Sequence, residues 1–229
     1  MFNIFQKYHI ITNFPKDYPL YKKILANIVY FLTGIIYQPR KNLLSRKDLF
    51  KARFKLRKGD IVLLGNMRET SSLLIPGVFT HAAIYIGHKR FIHAIADGVG
   101  IASLYHFFTT YDTMAILRIV RHTRHKRRII RRAIKFAKQQ IGKPYNFEFT
   151  KTKESFFCTE LVNSSFKYAG YTTGIATYGH FITLAEKIEK NITAAAKALK
   201  PDRILQGNFC VVFISHNLAF KGKKIVLLS

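Results

Sequence analysis

The chain has 229 residues, of which 48% are hydrophobic, so it fits one domain with appendages and is too apolar to be disordered. Its 38 Lys and Arg residues against 12 Asp and Glu give a net charge of +26, which favours a polyanionic partner: nucleic acid, an anionic membrane or an acidic polymer. The only two cysteines are Cys158 and Cys210, and no Cys/His cluster has metal-ligand spacing, so we expect no disulfide framework, metal or cofactor.

Residues 1–55 are predicted to form a basic leader with a short apolar helix. The apolar stretch is Ile24–Tyr37, and a pair of basic residues lies on each side of it. It is shorter than the roughly 20 residues that a membrane-spanning helix needs. Three interpretations stay open: a helix packed on the domain, an interfacial helix on an anionic membrane, or a span.

The core is predicted to begin with the buried strand Ile61–Leu64 and to continue with a strand pair, Thr80–Gly87 and Arg90–Ile95. If the turn of this pair holds an odd number of residues, His81 and His93 share a face as direct or diagonal neighbours. The Cα atoms of diagonal neighbours are roughly 7–8 Å apart. Two imidazoles so placed have the geometry of a base and its orienting partner. The alternative is two solvent-facing histidines on a polar sheet face.

The next elements lead to a strongly basic helix. We expect a short strand at Gly98–Ala102, a short helix or loop at Tyr105–Tyr111 and a strand at Thr113–Val120. An amphipathic helix follows and ends at Gly142. Its predicted apolar stripe consists of Ile130, Ala133, Ile134, Ala137 and Ile141. Its basic face is either solvated or binds anionic lipid, and nucleic acid is disfavoured because no DNA- or RNA-binding signature is present.

Ser155–Gly170 is predicted to be a helix with a cysteine in its first turn. Ser155 as N-cap would put Cys158 at the third helical position. The free N–H groups and the helix dipole there favour an anion, so the thiol is expected to lose its proton near neutral pH and become a nucleophile. The alternative is a free cysteine that simply belongs to the core. Tyr145, on the approach to this helix, either lines a cleft or belongs to the core.

The C-terminal part is predicted to contain two helices and a closing strand. The helices are expected at His180–Lys190 and Ile192–Leu199, and the strand at Asn208–Ser215. No acid or base motif surrounds Cys210 on this strand, so we expect it to be a core residue. Residues 216–229 form a basic and then apolar tail.

Five segments in this order resemble one protein family: GDIVL, THAAIYIG, FIHA, GKPYNFEF and FFCTELV. The set is similar to the YiiX/YebB-like branch of the NlpC-type cysteine peptidases, which is related to lecithin:retinol acyltransferase. The resemblance covers Leu56–Gly170 and, more weakly, Lys200–Ile214. It implies an α+β, circularly permuted papain-like domain over residues 56–215, in which an antiparallel sheet packs against the helix that bears the nucleophilic cysteine.

Residue by residue, the resemblance implies that Cys158 is the nucleophile, His81 the general base and His93 the third, orienting residue. Many relatives carry Glu at the position of His93. The implied function is a cysteine hydrolase that cleaves a peptide or isopeptide amide bond through an acyl-enzyme. The alternatives are a membrane-associated lipid acyl hydrolase or acyltransferase of the same fold, and a non-catalytic basic module that binds a membrane or polyanion.

The expected partners follow from these alternatives. The substrate is an amide or ester in cell-wall peptide or lipid, an anionic membrane surface is a candidate partner, and nucleic acid is disfavoured. The protein is expected to be of a bacterial type, either membrane-associated or cytoplasmic. The sequence indicates no oligomeric state.

Overall fold

The computed structural model describes residues 9–33, 44–66, 78–120, 122–149, 152–173, 204–205, 208–222 and 224–228. The helices of these parts are α1 (Leu20–Thr33), α2 (Arg46–Lys55), α3 (Leu104–Thr110), α4 (Lys126–Gln139) and α5 (Cys158–Tyr168). The strands are β1 (Ile61–Gly65), β2 (His81–Gly87), β3 (Arg90–Ile95), β4 (Gly98–Ser103), β5 (Thr113–Ile119), β6 (Phe209–Ile214), β7 (Leu218–Lys221) and β8 (Lys224–Leu227). The helices expected at 180–190 and 192–199 lie outside the described residues.

Strands β1 to β6 form one antiparallel sheet in the order β4-β3-β2-β1-β5-β6. Each strand begins and ends within about one residue of its predicted bounds, because turn residues punctuate the apolar runs clearly. The α+β prediction, an antiparallel sheet packed against the cysteine helix, is confirmed.

Both faces of the sheet are covered, which explains why β1 is a continuous apolar run. On one face, Ile61 and Leu63 of β1 are in the cluster that contains residues of α4 and α5. On the other face, Val62 and Leu64 join residues of α2 and α3. Apolar side chains on alternate positions of β1 therefore meet two separate layers of helix.

The apolar stripe of α4 differs from the predicted one. Its buried residues are Ile129, Ala133 and Ala137, while Ile130 and Ile134 are only partly buried. Ile141 is exposed because α4 ends at Gln139, before it. The stripe is thus rotated by about one position relative to the prediction.

The segments that flank the sheet contribute to its packing. Ser45 caps α2, and Asp48 of that helix accepts hydrogen bonds from both the backbone N–H and Nδ1 of His216, beyond β6. Leu218 and Ile225 of the β7–β8 hairpin are buried in the core. Parts of the predicted leader and tail therefore cover the sheet, and the boundaries at 55 and 215 stay predictions.

The prediction that Cys210 is a core residue is wrong. Its strand, β6, is the last strand of the sheet, and its side chain is exposed. The thiol donates a hydrogen bond to the backbone oxygen of Arg118 at 3.3 Å. An edge strand is covered on fewer sides than a central one, so an apolar run there does not guarantee burial.

Helix α1 begins at Leu20, four residues before the predicted stretch Ile24–Tyr37, and contains the described part of that stretch. The Asn27 side chain accepts from the N–H of Ile11 at 2.7 Å and donates to its oxygen at 3.3 Å, so the preceding segment is held along the helix. Within the residues that the structure describes, no helix has both the length and the apolar character to span a membrane.

Candidate active site

His81 and His93 lie side by side on β2 and β3. His93 pairs directly with Ala83, so His81, two residues earlier, is its diagonal neighbour on the same face. Nε2 of His81 and Nδ1 of His93 are 3.0 Å apart, within hydrogen-bond distance, and both side chains are buried. The prediction that the two histidines share a face and reach each other is confirmed.

A shift in strand register produces this arrangement. The turn between β2 and β3 holds two residues, His88 and Lys89, which alone would place His81 and His93 on opposite faces. The register shifts by one residue between Tyr85 and Gly87. This irregularity adds one residue to the two-residue turn, so the connection between the strands holds the odd number of residues that the sequence prediction required.

Aromatic side chains enclose the histidine pair. The ring of His81 stacks on Tyr111 at a centroid distance of 5.6 Å, and the ring of His93 meets Phe107 edge-on at 5.5 Å. Burial lowers the pKa of His81 well below 6.5, and the charges of His93 and His106 lower it further. Burial and His106 lower the pKa of His93 to about 4. Both imidazoles are therefore neutral at neutral pH.

The cysteine helix begins at Cys158, so the predicted N-cap at Ser155 is wrong. The N-cap is Phe157, and residue 156 forms a parallel bridge with Tyr145 that keeps the preceding backbone extended. A carboxylate oxygen of Glu160 accepts from the N–H of Phe157 at 3.4 Å and from the Asn146 side chain at 3.2 Å. Glu160 thus ties the incoming loop to the first turn, and Cys158 occupies the first helical position.

The thiol of Cys158 is buried among backbone N–H groups. Cys158 is only 2% exposed. Burial raises the pKa of the thiol to about 11, although hydrogen bonds from the N–H groups of Ala82, Thr159 and Cys158 itself act to lower it. The expected thiolate near neutral pH is therefore not the resting state, because desolvation outweighs the stabilisation by the helix N-terminus.

The sulfur lies next to the backbone of His81. The N–H of Ala82, which reaches it, belongs to the peptide bond that follows His81. Among the described contacts, the sulfur makes no hydrogen bond to the imidazole of His81, and Nδ1 of that ring makes none to a described residue. The structure therefore places the two imidazoles in contact with each other and the thiol of Cys158 against the backbone N–H that follows His81.

Tyr145 lies near Cys158. Burial raises the pKa of its phenol well above 10, and electrostatic interactions with Cys158, Glu160 and Tyr111 raise it further. The hydroxyl therefore stays protonated and lies within electrostatic reach of the sulfur. Sequence reasoning left Tyr145 between cleft and core, and the signal that could have decided was its place in GKPYNFEF, the segment leading to the cysteine.

One solved structure is similar to this chain: the crystal structure of the metalloprotein yiiX from Escherichia coli O157:H7. The two chains are 15% identical, with a TM-score of 0.52 over 69% of this chain and 97% of the other. In the described parts of this chain, no group of three or more His, Cys, Asp or Glu side chains could hold a metal ion. The described residues therefore do not fit a metal centre.

Residues 55–204 match the model of a family described as permuted papain-like amidase enzyme, YaeF/YiiX, C92 family. No curated protein matches the chain. The match covers most of the chain and includes both histidines and Cys158, and it confirms the predicted YiiX-like resemblance. The chain therefore belongs to the permuted papain-like amidases of the YaeF/YiiX, C92 family and is a cysteine hydrolase of the amidase type.

Proposed function

We propose that this protein hydrolyses an amide bond, with Cys158 as the nucleophile, His81 as the general base and His93 as the residue that orients His81. The observation that carries the proposal is the buried 3.0 Å hydrogen bond between the two imidazoles, beside the first residue of the cysteine helix. A nucleophile, a base and a third polar group that fixes the base form the common arrangement for acyl transfer.

The proposed base is Nδ1 of His81, which requires one particular tautomer of the neutral pair. In that tautomer, Nε2–H of His81 donates to Nδ1 of His93, which leaves a lone pair on Nδ1 of His81. His93 thereby selects the tautomer and the ring orientation of His81. It adds no negative charge, so protonated His81 is stabilised less than it would be by a carboxylate.

Attack starts from a protonated thiol, since the pKa of Cys158 is about 11. As the sulfur bonds to the carbonyl carbon, its proton passes to Nδ1 of His81, and the carbonyl π electrons move to oxygen. Substrate binding must bring the sulfur and the imidazole closer than they are in the free enzyme, as is common in resting active sites. The proton then passes to the leaving nitrogen, the C–N bond breaks, and an acyl-enzyme and a free amine result.

Two donors are proposed for the negatively charged oxygen. The N–H of Cys158 lies in the first turn, where helical N–H groups have no partner within the helix. The protonated hydroxyl of Tyr145 is the second donor. In deacylation, water gives a proton to His81 and attacks the acyl carbon, the C–S bond breaks, and the proton returns to the sulfur.

The substrate class is tested by supplying an amide and an ester in parallel. The protein is incubated with a cell-wall peptide digest and, separately, with phospholipid vesicles, and free amines and free fatty acids are measured. The proposal predicts new amines that disappear with Cys158→Ala and persist with Cys210→Ala. Release of neither product, with the protein folded, contradicts catalysis and favours a binding module.

A lipid acyl hydrolase or acyltransferase of the same fold is the second candidate. The observation that favours it is the exposed apolar side of α1, which fits contact with lipid. In the parallel assay, fatty acid release that depends on Cys158, without amine release, contradicts the amide proposal and supports this candidate.

A further inference from the structure

Helix α1 has its apolar residues on the outside, opposite to the usual arrangement in a globular domain. The residue that faces inward at its centre, Ala26, is small and buried, and its neighbours Lys23 and Asn27 are half-buried. The outward residues are large and apolar, with 45–73% of their surface exposed: Leu20, Tyr21, Ile24, Leu25, Ile28, Val29, Phe31 and Leu32. A surface helix of a soluble domain normally shows the reverse pattern.

Contacts made by the inner side of α1 and by the segment before it hold this helix to the domain. Lys22 forms an ion pair with Glu148, and Asn13, just before the helix, donates to the backbone oxygen of Asp97 at 2.8 Å. Phe14 also meets the ring of Phe147 at 5.7 Å. Glu148 and Phe147 belong to the same loop as Tyr145, so the inner side of α1 lies beside the loop that leads to Cys158.

An apolar groove adds to this surface. It has a volume of about 670 Å³ and runs between α1 and the segment around Ile10 and Ile11. Its apolar lining includes Phe14, Leu20, Ile24 and Ile28. Ile10 is itself 77% exposed. The groove and the outer side of α1 together form a continuous apolar face, which we call the α1 face.

We propose that the α1 face docks the protein onto an anionic phospholipid bilayer. The net charge of +26 supplies long-range attraction to such a surface, and the apolar side chains supply burial once they are in contact with it. Over its described 14 residues, or about 21 Å, α1 is shorter than the hydrocarbon core and suits a position in the interface. Docking is independent of the proposed catalytic roles, and Cys158→Ala protein should bind vesicles as wild type does.

The absence of tryptophan from the chain permits a clean test. Ile28 and Ile101 are matched probes, because both are isoleucines that are 50% exposed, and Ile101 lies on β4 and does not line the groove. In single Ile28→Trp and Ile101→Trp proteins, the emission is recorded as vesicles of phosphatidylcholine with about one quarter phosphatidylglycerol are added. The proposal predicts a blue shift for residue 28 and none for residue 101.

Affinity is measured by vesicle sedimentation with Ile28→Glu and Ile101→Glu, which change the net charge equally. Ile28→Glu should weaken binding about tenfold or more, since it removes an apolar side chain that docking buries in the bilayer, while Ile101→Glu should change it less than about twofold. Ile28→Leu should bind as wild type does. Thermal melting checks that each variant is folded.

Three results would overturn the proposal. Equal weakening by both Glu variants would mean that charge alone binds the vesicles. A wild-type dimer that becomes a monomer with Ile28→Glu, with vesicle binding unchanged, would assign the α1 face to a second copy of the chain. Absence of vesicle binding by wild type, together with salt-sensitive binding to DNA, would assign the positive charge to nucleic acid.

Discussion

The two cysteines of this chain stand in opposite environments. Cys158 is buried at the start of α5, beside the backbone of His81, whereas Cys210 is exposed on the edge strand β6 and lies within electrostatic reach of Arg118 and Lys126. Exposure and nearby cations favour chemical modification of a thiol. Acyl transfer needs a base and oxyanion donors instead, and in our proposal the buried cysteine has both. Accessibility alone would therefore select Cys210, whereas our proposal selects Cys158.

The largest expected effect separates the two cysteines directly. Cys158→Ala should lower kcat/KM for amide hydrolysis by on the order of 10⁴-fold or more, because the covalent route is lost. Cys210→Ala should leave it within about twofold, since surface changes away from a site have small effects. Loss of activity in the Cys210 variant, or retained activity in the Cys158 variant, would contradict the proposed roles of the two cysteines.

Removing the proposed base should have the next largest effect. His81→Ala should lower kcat/KM by about 10³-fold, the usual contribution of a positioned general base. The control is His88→Ala, in the exposed turn of the same hairpin. A similar loss in both variants would point to damage to the hairpin rather than to lost proton transfer.

Tyr145→Phe tests the proposed oxyanion donor, which distinguishes the surroundings of Cys158 from those of Cys210. Removing only the hydroxyl should lower kcat by about 10²-fold and change KM little, because the hydrogen bond forms mainly in the transition state. Phe147→Leu, in the same loop, is the control for packing. If kcat stays unchanged in Tyr145→Phe, Tyr145 is a structural neighbour only.

Much of this region could be predicted from sequence, and the exceptions have physical causes. Alternating apolar residues and turn signals located the strands, and family motifs indicated Cys158 and His81. The start of α5 was missed because the bridge between Tyr145 and residue 156 is a long-range contact that no local capping pattern encodes. The exposure of Cys210 depends on strand order, which a single strand does not contain.

The sign of the shift in the thiol pKa was missed for a related reason. Helix position is local and favours the thiolate, whereas desolvation depends on everything that packs over Cys158. The register shift in the β2–β3 hairpin was also invisible, because neither Tyr85 nor Gly87 by itself signals an extra residue. The inverted orientation of α1 depends on which residues face the domain, which periodicity alone cannot tell.

The smallest effect that we predict concerns stability near Cys158. The pKa of His93 is about 4 in the folded protein against a usual 6.5, so between these values the unfolded chain binds more protons. Stability conferred by neutral His93 is complete above pH 6.5 and should fall by about 3 kcal/mol as the pH drops toward 4. Buried His81 acts in the same direction.

Denaturant unfolding of wild type and His93→Gln between pH 7 and pH 4 measures this effect. The variant should lose less stability than wild type over this range, because Gln carries no titrating group. If the two proteins lose stability in parallel, His93 is not a buried, neutral histidine in the folded protein.

The most direct test of the central claim, that Cys158 rather than Cys210 is the nucleophile, is to locate the acyl group on the protein. Wild type, Cys158→Ala and Cys210→Ala proteins are incubated with the cell-wall peptide digest, quenched in acid and mapped by mass spectrometry. Our account predicts an acyl adduct on Cys158 in wild type and in Cys210→Ala, and none in Cys158→Ala. An adduct on Cys210, or one that survives Cys158→Ala, would contradict it.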